Sequence, residues 1–250
     1  METLHIALKA ETVGHIFGMP ITNTLITSIV AALVLILIAI FVRARISLIP
    51  GKVQLVFEML VGGVLSYMEE VLGDARLARR FFPLIATIFL FIAIANILEF
   101  LPGVGSVGFY GGEGGRSEFV PLFRSVNTDL NMTLALSLIS FFVIEFAGVA
   151  ALGFLKYGGK FVTFKSPLAF FIGLIELLSE VARLISFSFR LFGNIFAGEV
   201  LITVAAFFVP LFLPVPLMLF EMFVGLIQAA IFALLTLFFI KIAIMEPEGH

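Results

Sequence analysis

Between residues 176 and 221 an otherwise apolar sequence carries Glu176, Glu180, Arg183, Arg190, Glu199 and Glu221. Ionisable side chains at bilayer depth are costly, about 2.5–3.5 kcal/mol for a central arginine on insertion scales, so a group of them points to an ion path or proton relay. On a helix with Glu176 at zero, Glu180 falls at about 40°, Arg183 at about 340°, Arg190 at about 320° and Asn194 at about 0°. These five share one stripe about 80° wide. Glu199 lies about 180° from Arg190 around the axis and about 13.5 Å along it, so the two groups address different neighbours.

Arg190 is flanked by Ser186, Phe187 and Phe189, and its nearest carboxylates lie two turns or more away. A guanidinium stays protonated at any physiological pH. A carboxylate brought within about 4 Å of it is held ionised by about 4 kcal/mol at an effective dielectric of about 20. The same carboxylate turned into lipid must be neutral. A fixed arginine beside a moving acid therefore forces ion release on one side and reloading on the other. For Glu176, Glu180 and Arg183 two readings stand: structural pairing near a helix end, or the lining of a water-filled entry. Glu221, Gly225 and Gln228 sit at i, i+4, i+7 on the last apolar segment. Gln228 either hydrogen-bonds Arg190 or Asn194 across the helix pair or serves as polar helix–helix glue. Glu199 and Glu221 flank the Pro210–Pro216 turn at comparable distances and are expected together in the wall of an aqueous inlet.

The elements that must position these groups follow from composition. Of 250 residues, 61% are hydrophobic and 13% charged, with mean hydropathy +1.20; a soluble domain needs nearly twice that charge to coat its surface. Lipid is the main solvent. Cysteine is absent, which excludes thiolate metal sites and cysteine nucleophiles, and the net charge of −2 suggests no nucleic-acid partner. No cofactor is implied. The first segment lacks the pattern of a cleaved signal peptide. Apolar runs long enough to span occur at 25–42, 81–101 and 132–155. Residues 53–72, with Glu58, Glu69 and Glu70 among apolar neighbours, read as an interfacial amphipathic helix. The Gly-rich stretch 103–125 reads as an exposed loop, and 156–166 as a basic connector. Pro167 can open a helix, and the pattern runs helical over 167–208, about 63 Å, twice the hydrocarbon thickness, so it must tilt or break. A last helix is expected over 217–244. The fold class predicted is an all-α polytopic membrane protein in one membrane domain: upright spans, an interfacial helix and two long tilted helices. Ten loop Lys/Arg fall on one side and three on the other, which predicts the N-terminus outside and the C-terminus in the cytoplasm.

The run Ser188-Phe189-Arg190-Leu191-Phe192-Gly193-Asn194-Ile195-Phe196-Ala197-Gly198-Glu199 strongly resembles subunit a of the F-type ATP synthase. Ile49-Pro50-Gly51-Lys52, Asn127-x-Asp129-x-Asn131-x-Thr133 and Gln228 agree in order, so the resemblance covers about residues 25 to 245. It implies an ion-translocating stator with two offset half-channels against a rotating ring of c subunits. It also implies b-type peripheral stalk partners, the rest of the synthase complex and a bacterial plasma membrane. Arg190 matches the arginine that separates the half-channels, Asn194 and Gln228 match polar positions beside it, and Glu199 and Glu221 match outer half-channel positions. Asn127, Asp129, Asn131, Glu176, Glu180 and Arg183 are candidates for half-channel lining. Some members carry His at the positions of Glu199 or Glu221; here the three His (His5, His15, His250) all lie near the termini, so no His relay is available.

Other classes fit less well. An ion-coupled secondary transporter would commonly show internal repeats, and none is visible. An intramembrane protease needs a Ser/His or paired Asp site, and no His lies in the spans. A pure scaffold leaves Arg190 unexplained.

Overall fold

The computed structural model describes residues 10–47, 49–101, 104–111, 118–161, 166–210 and 212–245. Side-chain oxygens start most of the helices. The Thr22 hydroxyl accepts from Leu25 N–H at 3.3 Å and opens α1 (Asn23–Ala44). Gly51 precedes α2 (Lys52–Leu72), and the Asp74 carboxylate accepts from Arg76 and Leu77 N–H to open α3 (Ala75–Leu98). Asp129 accepts from Asn131 N–H at 3.0 Å and opens α4 (Leu130–Leu152), which ends at Gly153 before the short α5 (Phe154–Phe161). Ser166 caps α6 (Pro167–Phe208), with Pro167 in its first turn, where a missing N–H costs nothing. Pro214 and Pro216 occupy the first turn of α7 (Pro214–Ile244).

α1, α3, α4 and α7 are long and apolar enough to cross a membrane. α6, of 42 residues, carries Glu176, Glu180, Arg183 and Arg190 in its first 24 positions and only Glu199 after them. The chain is an all-α polytopic membrane protein. α3 lies along α7, α4 packs on both α6 and α7, α1 leans on α3, and α2 meets α3 and α7. One apolar core joins Met68, Ile85, Ile144, Tyr157, Leu237 and Ile240. A second joins Ile92, Leu191, Ile195 and Phe187, whose ring lies 5.1 Å from Phe232 and 5.5 Å from Phe239.

Polar ties fix the bundle where apolar packing cannot discriminate protein from lipid. Thr24 Oγ1 donates to Asp129 Oδ2 at 2.8 Å, joining the starts of α1 and α4. Thr133 and Ser188 hydroxyls meet at 3.1 Å between α4 and α6. Lys241 Nζ, near the end of α7, donates to the Leu72 carbonyl at 2.8 Å. That carbonyl is an orphan of the α2 C-terminus, and Gly73 closes the helix at φ 75°, a conformation that favours glycine.

Several boundaries differ from the sequence expectation. α3 begins at Ala75 rather than 81, because Asp74 caps it and Pro83 is carried inside the helix. The third long helix stops at Leu152 rather than 155, and part of the basic connector is α5. Two antiparallel hairpins were not foreseen. One pairs β1 (Thr12–Ile16) with β2 (Met19–Thr22). The other pairs β3 (Gly108–Gly111) with β4 (Glu118–Pro121) inside the stretch read as loop, where Tyr110 packs edge-on to Phe119. The Pro102-Gly103 stop and the Gly-rich tip fall outside the described residues.

Asp129→Ala removes both the α4 cap and the partner of Thr24. A loss of about 1–3 kcal/mol is expected, read as a lower melting temperature of the purified protein in detergent.

Candidate functional site

The stripe expected to unite Glu176, Glu180, Arg183, Arg190 and Asn194 divides into two environments. Its first half is covered by α5. Lys160 Nζ reaches Glu176 at 2.5 Å and Glu180 at 3.9 Å, and Arg183 Nη1 donates to Glu180 Oε2 at 2.6 Å. Glu180 is buried, and the Arg183 guanidinium lies 4.0 Å from the centre of the Phe239 ring. Its second half is open. Ser186, Arg190, Gly193, Asn194 and Ala197 are all exposed along one helix face, and a side-chain carbon added at Gly193 would meet nothing within 4 Å. Arg190 Nη2 lies 3.5 Å from Ser186 Oγ, the limit of hydrogen-bond range. Among the described residues no carboxylate pairs with Arg190.

Glu199 faces elsewhere, as the helical geometry requires. Its Oε2 lies 3.8 Å from Nη2 of the buried Arg124, and Arg124 is steadied by its backbone N–H donating to Thr27 Oγ1 at 3.1 Å. Both side chains line a cavity of about 420 Å³ together with Glu11, Glu99 and Ser125, room for roughly a dozen waters. Ser125 Oγ donates to Glu99 Oε2 at 2.7 Å. Glu221 is buried against Gly198, where any larger residue would overlap its carboxylate, and its Oε1 accepts no hydrogen bond from the described residues.

Gln228 is buried but makes no hydrogen bond to Arg190 or Asn194. The cross-helix contact in this region is made by Asn96 instead. Its Nδ2 donates to the Gly225 carbonyl at 2.9 Å, and its Oδ1 accepts from Asn127 Nδ2 at 2.6 Å. Asn127 is fully buried, and Asp129 and Asn131 form the α4 cap. None of the three lines the large cavity. The sequence reading missed Asn96, Glu99 and Arg124. The first two were legible as polar residues inside or at the edge of an apolar run, whereas Arg124 sat in a segment taken for exposed loop.

Helices of this length and apolarity define a multi-pass integral membrane protein, with ionisable groups lining a cavity at Glu99, Arg124 and Glu199 and standing on an open helix face at Arg190. Residues 24–241 match the family described as ATP synthase A chain. A protein of Helicobacter pylori (strain Shi470) named ATP synthase subunit a is 31% identical over 222 residues, covering 89% of each chain. One of the same name from Mycobacterium bovis is 37% identical over 238 residues, 92% of this chain and 89% of its own. The chain belongs to the ATP synthase A chain family.

Gly198→Ala forces a methyl group into the Glu221 carboxylate. Overpacking of this kind costs about 1–3 kcal/mol, so the melting temperature in detergent should fall, and shortening the acid in a Gly198→Ala, Glu221→Asp double variant should recover part of the loss.

Proposed function

We propose that the chain is the ion-translocating stator subunit of an F-type ATP synthase. It works against a rotating ring of c subunits and couples the flow of protons or sodium ions to rotation. The observation that carries this reading is Arg190, a permanent cation on an open helix face with no carboxylate of its own chain among the described residues. A cation at bilayer depth calls for an anion, and here that anion comes from a partner. The exposed small residues Gly193 and Ala197 on the same stripe let a second helix approach closely.

An acid carried past Arg190 is held ionised there and must unload before it arrives and reload after it leaves. The cavity walled by Glu99, Arg124 and Glu199 serves the outer half-channel, with Glu221 beside it, and the charged cluster under α5 serves the inner one. Asn194 and Gln228 supply polar contacts beside the arginine. The chain carries out no covalent chemistry of its own. Its N-terminus lies outside a bacterial plasma membrane and its C-terminus inside, and b-type stalk subunits hold it against the drag of the ring.

Arg190→Ala should abolish ion-driven ATP synthesis in membrane vesicles while the complex still assembles; coupled synthesis at normal rates would overturn the reading. Arg190→Lys should also impair ATP-driven pumping severely, since an ammonium lacks the planar fork and loses its proton more readily when desolvated. Glu199→Gln should slow ion flux without making the membrane leaky, as measured by pumping rate and passive conductance in the same vesicles.

A further inference from the structure

One acid in the bundle is left over when the charges beneath α5 are matched. Lys160 and Arg183 answer Glu176 and Glu180. Glu145, on α4, lies within the electrostatic reach of Glu180, Lys160 and Arg183, yet no cation among the described residues comes within ion-pair distance of it. Its position follows from the packing. Thr133 of α4 meets Ser188 of α6, and the two helices run in opposite directions. Twelve residues further along α4, about 18 Å, Glu145 is level with the Glu176–Arg183 segment.

Tyr157 of α5 stands beside it. The ring presses on α4 at Gly148, one turn beyond Glu145, where any side chain would collide with it. It is 4% exposed and sits edge-on to Phe161, with ring centres 5.6 Å apart. The Tyr157 hydroxyl and Glu145 Oε1 are both buried oxygens that complete no hydrogen bond among the described residues, and such groups in native proteins are met by a protein partner or by water. Tyr157 also lines a second cavity, of about 320 Å³, with Lys156, Lys160 and Glu176. Burial, with the neighbouring carboxylates, pushes the Tyr157 phenol up, so it serves as a neutral donor and acceptor rather than as an ion.

We propose that Glu145 and Tyr157 form a proton-passing pair that connects the α6 charge cluster to the cavity beneath Lys156 and Lys160. This rests on the function proposed above and deepens it by naming the carriers of the inner exit. A proton reaching Glu145 Oε1 makes the neutral acid. It departs to a cavity water as the carboxylate re-forms, while Tyr157 accepts one hydrogen bond, donates another and ends unchanged. The groups facing Glu145 are Glu180 and Arg183 from α6 and Tyr157 and Lys160 from α5; Lys241 of α7 is turned to the Leu72 carbonyl. The pairing of each α6 acid with its own cation is what leaves Glu145 as the exchangeable site.

The test is ATP-driven pumping by the assembled complex in inverted membrane vesicles, followed with a pH-sensitive dye with and without sodium. Rates are normalised to the amount of complex and measured over a range of pH on the α5 side. Glu145→Gln keeps the shape of the side chain and should slow pumping roughly tenfold, less than a fully committed acid–base group because water keeps a parallel route open. It should also flatten the dependence on α5-side pH. Tyr157→Phe keeps the ring on Gly148, should slow pumping by a smaller factor, and decides the matter if Glu145→Gln fails to assemble. Wild-type rates and pH dependence in the assembled variants overturn the proposal, as does pumping of sodium in place of protons by the unaltered complex. Arg190→Ala in parallel separates the two readings. If it blocks pumping while Glu145→Gln does not, the pair fails and the stator stands; if it pumps normally, the stator itself fails.

Discussion

Each ionisable group in the last two long helices must be compensated where water is scarce, and how each is compensated divides the molecule into regions. Glu176 and Glu180 are met by Lys160 and Arg183, and Glu199 is met by Arg124. Among the described residues Arg190 reaches only the Ser186 hydroxyl. A paired charge holds helices together and stays where it is; Arg190 has no such pair among the described residues. The same helix is therefore tied by ion pairs at one end and presents an open polar face in the middle. Among the described residues the division is set by α5, which covers one part of the stripe and leaves the other open.

The rest of the bundle reads as the support that keeps this surface in place. Leucine against lipid is nearly as content as leucine against leucine, so apolar packing alone sets helix register poorly. Thr133 with Ser188, Asn96 with Gly225 and Thr24 with Asp129 supply the specificity instead. Glycines appear where the approach is closest. Gly198 admits the Glu221 carboxylate, Gly225 admits Asn96 and Gly148 admits the Tyr157 ring. In each case the missing side chain makes room for a polar or aromatic group from a neighbouring helix.

The helical course was largely written in local chemistry. Ser166-Pro167 announces the start of α6, and the absence of any breaker before Val209 lets it run 42 residues. The opposed directions of Arg190 and Glu199 follow from nine residues at a fixed helical pitch, and their separate partners agree with that. What stayed hidden was long-range. The polar stripe looks continuous in sequence, but whether a residue on it is covered depends on α5, a short helix inside a segment with little periodicity. Arg124 follows a glycine-rich stretch and reads as loop, yet the hairpin and the α1 start enclose it. Gln228 has the composition of a cross-helix contact, but Asn96 makes the bond to this part of α7, and no local pattern ranks two amides in different helices.

Lys241 and Leu72 are joined by a hydrogen bond across 169 positions, and Asn96 meets Gly225 across 129. Both bonds require α7, which is translated after the segments that carry Leu72 and Asn96. Until it arrives, the Asn96 Nδ2 of α3 and the Leu72 carbonyl of α2 lack these partners. The earlier segments thus await a keystone, and these two ties of the native arrangement form only once α7 is in place. Truncation within α7 would leave these earlier helices without the partners that hold them in place.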